Sequence, residues 1–213
     1  MDASTLASDR DDMDALTSLV IEWGVAGRAL DGESGDRCLV KTFTQGALVA
    51  VADGLGHGPE AAVAARTAME TLEADADLPV TELLRRCHDQ LRPTRGAALS
   101  LASFDARKQT MAWVGVGNVD GVLVRASPMA RMERLLLLGG VVGRRLPHVH
   151  ASVLTVSPGD TLILVTDGIR GDFAERLPMG GPAPSAERIL ARHAMDTDDA
   201  LVLVVRYRGG ESE

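Results

Sequence analysis

Two stretches of this sequence end an apolar run on the same pair of residues: VAVADG at 49–54 and LILVTDG at 162–168. Each run is short and rich in branched side chains, the pattern of a strand buried in a core. Any fold for this chain must therefore carry two core strands outward to end on a carboxylate, Asp53 in one case and Asp167 in the other. After Asp53 comes the glycine-rich GLGHG, and then PEAAVAARTAMETLEA. Proline at a first helical position and a run of alanine and glutamate make that last segment a helix.

Two further acids stand at strand boundaries. SGDR places Asp36 just before the strand CLVKTF, and DTDDALVLVV places Asp198 and Asp199 directly before the last strand. CLVKTF and ALVAVAD are separated only by a short turn, so they form a hairpin. Neighbours in an antiparallel pair run in opposite directions, so the start of one lies beside the end of the other. Asp36 and Asp53 must then share one edge, and the two remaining strands can bring Asp167 and Asp198 to it.

The rest of the chain reads as GAALSLASFD, QTMAWVGVGN and VDGVLVRA, three strands joined by turns, with RLLLLGGVVG continuing the meander. A turn at Pro158-Gly159-Asp160 splits ASVLTVSPGDTLILVTDG into two more. VTELLRRCHDQL and SAERILARHAM are helices, the second with Ser185 as its N-cap. Strands arriving as hairpins, with helices set apart from them, predict an α+β fold of antiparallel sheets with helices packed on them. The expected organisation is an acidic arm over 1–19, one domain over 20–208 and a short tail over 209–213.

Composition removes several function classes. A net charge of −8 with scattered arginines argues against nucleic acid, and 3% aromatic residues leave few stacking platforms. No apolar run is long enough to span a bilayer, and the acidic N-terminus lacks the layout of a signal peptide. Two distant cysteines, Cys38 and Cys87, with no CxxC, point to a reduced, cytoplasmic protein without a zinc site. Trp23 and Trp113 are assigned to the core, Asn118 to a tight turn, and His148 and His150 to an exposed strand. Cys87 has no base beside it on its helix, which disfavours a thiol nucleophile.

Carboxylates gathered in a partly apolar cleft repel one another, so either their pKa values rise or cations neutralise them. Oxygen-only ligands select hard ions, Mg²⁺ or Mn²⁺. Two such ions can hold a water, lower its pKa and clamp a phosphate during in-line displacement. The glycine after each acid is then expected to let a carbonyl or a phosphate approach the metals. Taken singly, each Asp-Gly pair is equally a turn signal, and GLGHG lacks the ending of a nucleotide-binding loop.

VADGLGHGPEAAVAA, RGAALSLASFD, WVGVGNVDGVL, LLGGVVG, SPGDTLILVTDGI and DTDDALVLVV occur here in one order. That ordered set resembles the metal-dependent protein serine/threonine phosphatases, the PPM or type-2C-like superfamily. Within it the chain is most similar to the SpoIIE-type branch and its small stand-alone RsbX-like members. The resemblance implies a four-layer α-β-β-α sandwich, two antiparallel sheets flanked by helix pairs, with two Mn²⁺ or Mg²⁺ ions at one edge. It implies that Asp53 bridges both ions, that the Gly54 carbonyl joins one of them, and that Asp36, Asp167 and Asp198 complete the set. Asp199 is then a neighbour of the ligands, or trades roles with Asp198.

The implied reaction is direct attack of a metal-held hydroxide on phosphoserine or phosphothreonine. The implied partner is a phosphorylated STAS-domain antagonist or stressosome protein in a partner-switching circuit. Two positions depart from the family pattern. Leu55 stands where many members place an acid histidine, leaving His57 as a candidate, and Asp31 stands where they place a phosphate-gripping arginine, leaving Arg28 or Arg37. Two rival readings are a phosphatase fold that binds a phosphoprotein without cleaving it, and an aspartyl-phosphate hydrolase built on DADLP at 75–79.

Overall fold

In a computed structural model, residues 20–30, 32–127, 132–175 and 180–210 are described. The acidic arm, Asp31 and the last three residues of the tail lie outside them. Two five-stranded antiparallel sheets face one another. The first contains β1 (Ile21–Arg28), β6 (Asp120–Val124), β7 (Glu133–Arg134), β9 (Thr161–Val165) and β10 (Ala200–Tyr207) in the order β1-β10-β9-β6-β7. The second contains β2 (Asp36–Phe43), β3 (Gly46–Gly54), β4 (Ala97–Asp105), β5 (Thr110–Val116) and β8 (Ser152–Thr155) in the order β2-β3-β4-β5-β8.

Strand alternation divides the apolar residues among three cores. Val49 and Val51 of β3, Trp113 of β5, Leu162 and Leu164 of β9, and Leu203 and Val205 of β10 fill the space between the sheets. The alternate residues of β3, Leu48, Ala50 and Ala52, face α1 (Pro59–Ala74) and α2 (Val80–Gln90). Ile163 and Val165 of β9 and Val202 and Val204 of β10 face α3 (Pro182–His193) and a short 3-10 turn at Gly171–Glu175. This is the four-layer sandwich, with helices α1 and α2 on one face. Among the described residues, the other face carries α3 and the 3-10 turn.

Helix α1 lies close to its sheet because the buried face is built from Ala61, Ala64, Ala65 and Ala68. Helix α2 buries Val80, Leu83, Leu84 and Cys87, a stripe at helical spacing with arginines left to solvent. Helix α3 begins at Pro182, three residues before Ser185, so Ser185 sits buried in the first turn and does not cap it. Proline at the first position sets the start instead, because its missing N–H costs nothing there.

Other expectations are corrected. Trp113 is buried, donating its indole N–H to the Leu136 carbonyl at 3.1 Å, but Trp23 is 43% exposed. Trp23 lies on edge strand β1, where alternation points it to the inner face but the opposite sheet does not cover it. RLLLLGGVVG adds only the end of β7 and isolated bridges such as Ala97 to Val142. Three of its glycines and the following Pro147 break the ladder. His148 and His150 are exposed, as expected, but in irregular chain rather than a strand. Among the described residues, no helix is long and apolar enough to cross a membrane.

Candidate metal centre

The hairpin β2–β3 places Asp36 directly opposite Asp53. Each continues the inward-facing set of its strand, so both carboxylates enter the gap between the sheets at one rim. Asp167 follows β9 and Asp198 precedes β10, and these neighbouring strands bring their ends to the same rim from the other sheet. Asp36 is 4% exposed, Asp198 half-buried.

Charge records how close these groups are. Burial, and then the charges of Asp36, Asp167 and Asp198, push the Asp53 carboxyl up to about 8, partly offset by the Asn118 amide. Burial pushes Asp36 up to about 7; Thr166 opposes this and Asp199, Asp167 and Asp198 add to it. Asp167 is also raised, by burial and by Asp198. None of the four forms an ion pair with an arginine, lysine or histidine among the described residues. Nor do any three acid, histidine or cysteine side chains among those residues close into a tight cage. The four groups share a rim and feel one another across it.

The donor chemistry fits hard divalent cations. The charged side chains that converge are carboxylates, and the raised pKa values mark negative charge that lacks a counter-ion among the described residues. Asp36, Asp53, Asp167 and Asp198 are the residues that would hold them.

Neighbours fix the carboxylates. The Thr166 hydroxyl donates to Asp36 Oδ2 at 2.7 Å and accepts the Leu201 N–H at 2.9 Å, linking the two sheets through one side chain. Asn118 donates its amide to Asp167 Oδ2 at 2.6 Å. The expectation of a mere turn residue at Asn118 is therefore corrected; the β5–β6 turn carries its side chain to the rim. Asp199 is 5% exposed and accepts the Leu30 N–H at 2.7 Å and the Gly35 N–H at 2.6 Å. Both its oxygens brace the loop that delivers Asp36.

Replacing Thr166 with valine leaves the Leu201 N–H and Asp36 without this partner in a buried setting. A loss of about 1–3 kcal/mol in denaturant unfolding is expected. The accompanying titration of Asp36, followed by carboxyl NMR, moves further up.

The glycines after the acids have a packing role. A Cβ on Gly54 would lie closer than 3.0 Å to the backbone of Ala61 in α1, and one on Gly168 would do the same to the Asp199 carbonyl. The missing side chains admit protein backbone. Gly54 is buried, with its N–H given to the Gly35 carbonyl at 3.0 Å.

His57 is exposed on the loop between β3 and α1. Arg28 donates to the Met195 carbonyl at 2.6 Å and pairs with Asp196 at 3.0 Å. Arg37 pairs with Glu33 at 2.9 Å, and alternation turns it to the α1 side, away from Asp36. Cys87 is buried, and burial pushes its thiol up to about 12, so it is no nucleophile. DADLP forms the loop between α1 and α2, with a helix rather than a strand before it.

A family model described as Stage II sporulation protein E (SpoIIE) matches residues 44–208. The phosphoserine phosphatase RsbX of Bacillus subtilis (strain 168) is 24% identical over 191 residues, covering 89% of this chain and 94% of that protein. A solved structure described as "The bacterial stressosome: a modular system that has been adapted to control secondary messenger signaling" superposes with a TM-score of 0.79 at 30% identity. The match covers 87% of this chain and 99% of that one. RsbX in complex with magnesium gives a TM-score of 0.79 at 23% identity, covering 88% of this chain and 96% of that one. A family match over most of the chain joins a sandwich whose rim gathers four acids: the chain belongs to the SpoIIE family of PP2C-type protein serine/threonine phosphatases.

Proposed function

We propose that residues 20–208 form one catalytic unit that binds two Mg²⁺ or Mn²⁺ ions through Asp36, Asp53, Asp167 and Asp198, with the Gly54 carbonyl as a further ligand. The unit hydrolyses phosphoserine or phosphothreonine on a regulatory protein. One observation carries this reading: Asp36 and Asp53 face each other, half to fully buried, with carboxyls raised to about 7 and 8 and no basic partner. Bound ions supply water activation and clamping of phosphoryl oxygens. The chain's own residues set the geometry. Thr166 orients Asp36, Asn118 orients Asp167, and Asp199 holds the loop before β2 in place.

The proposed substrate is a phosphorylated STAS-domain antagonist or stressosome component in a cytoplasmic partner-switching circuit. Its support is similarity to RsbX and to a structure described under the stressosome. His57 is the candidate proton donor by its place on the loop. Hydrolysis of p-nitrophenyl phosphate by the full chain tests the reading. Activity stimulated by Mn²⁺ and lost with a chelator is expected. A chain that binds Mn²⁺ and a phosphopeptide but releases no phosphate would be a binding module instead.

A further inference from the structure

The carboxylate rim sits on a protein of net charge −8, and a phosphate dianion approaching it gains from a positive group of the chain beside the bound ions. The two arginines that sequence offered are engaged elsewhere: Arg37 with Glu33, and Arg28 with Met195 and Asp196. We propose that Arg95 receives the phosphate of the substrate phosphopeptide at the mouth of the metal centre. This rests on the phosphatase reading above.

Register places Arg95 there. Asp53 pairs with Ala98 and Gly54 with Ala97, so the residues just before β4 run beside the loop just after β3. The Leu55 N–H donates to the Gly96 carbonyl at 3.0 Å, zipping the two loops together. The Arg95 guanidinium then lies against Gly56, where a Cβ would stand 2.8 Å from Nη1. Gly56 has a φ of +87°, a backbone conformation that strains any residue with a side chain.

The backbone beneath Arg95 is anchored while its head is free to exchange partners. Arg144 donates to the Thr94 carbonyl at 2.6 Å and to the Arg95 carbonyl at 3.2 Å. The Thr94 hydroxyl accepts the Gly96 N–H at 3.0 Å and donates to the Leu91 carbonyl at 2.8 Å. The guanidinium itself pairs with Glu60 in the first turn of α1, and the two side chains are 50% and 66% exposed. So exposed a pair is weak and screened by salt. A phosphate dianion offers the same fork a bidentate partner of higher charge. Glu60 is thus a placeholder that the substrate displaces.

Steady-state kinetics of the full chain in Mn²⁺, with a phosphoserine peptide, test this. Arg95→Ala is expected to raise KM roughly 10- to 100-fold while kcat changes less than about threefold, and Arg95→Lys recovers part of the loss. Glu60→Gln, which frees the guanidinium, is expected to lower KM by about two- to fivefold at low salt, the advantage fading at high salt. An Arg95→Ala chain that melts like wild type with an unchanged KM overturns the proposal. If Arg95→Ala fails to fold, Glu60→Gln decides, and a KM equal to or above wild type overturns it. If wild type turns over nothing in Mn²⁺, the phosphatase reading falls, and titration with the phosphopeptide decides this one. Equal Kd for wild type and Arg95→Ala then overturns it, and a Kd weakened about tenfold or more sustains it.

Discussion

Asp53→Asn is expected to lower Mn²⁺-dependent hydrolysis of p-nitrophenyl phosphate by about a thousandfold or more, yet make the metal-free protein more stable at pH 8. Activity falls because an amide is a poor ligand for a hard cation and cannot neutralise one. Stability rises because the native carboxylate is held in an apolar rim beside three other acids, which push its pKa up to about 8. Asparagine has nearly the same shape and no charge to bury. The gain is expected to be about 2 kcal/mol at pH 8.5, well below the full worth of the shift at 1.36 kcal/mol per unit, because neighbouring acids relax together. At pH 4 native Asp53 is protonated and its unfolded counterpart is about half protonated, so the gain shrinks towards zero. Chemical denaturation in chelator at the two pH values reads this directly. An equal effect at both would mean that Asp53 is not the strained carboxylate.

The wild-type chain without metal is expected to lose stability as pH climbs from about 4 to about 8, the reverse of a protein whose acids are ion-paired. Asp36 and Asp53 have native pKa values of about 7 and 8, against about 4 in an unfolded chain. Between those limits the native state binds more protons than the unfolded one, so stability is fully present below pH 4 and drains away as pH passes through 7 and 8. Mn²⁺ must displace the same protons, so its binding strengthens over the same window. Saturating Mn²⁺ is expected to raise the melting temperature by about 5–15 °C at pH 8 and by less than half of that at pH 6. Differential scanning calorimetry with and without Mn²⁺ checks both slopes. A shift independent of pH would place the ions on groups other than these carboxylates.

The sequence carried the pairing of Asp36 with Asp53 because a hairpin is local. A short turn fixes the register, and alternation then decides which side each residue faces. It carried α1 and α2 for the same reason, since apolar spacing and an opening proline lie within a few residues. It did not carry Thr166 or Asn118. Thr166 reaches Asp36 across 130 residues and Asn118 reaches Asp167 across 49, and nothing in a strand-ending threonine or a turn asparagine names its distant partner. The polar Thr166 inside LILVTDG was the available signal, as an inward position that an isolated strand would give to valine. Trp23 failed differently. Alternation tells which residues share a face, but where the opposite sheet stops is a property of two sheets together.

Strand β10 lies between β1 and β9, so among the described residues β1 finds its ladder on the strand most distant from it in the sequence. During synthesis the β1–β10 ladder therefore cannot form until Ala200–Tyr207 has been made. The pair Asp198 and Asp199 arrives in that same final instalment. A nascent or prematurely stopped product consequently lacks both a closed sheet and the brace on the Asp36 loop.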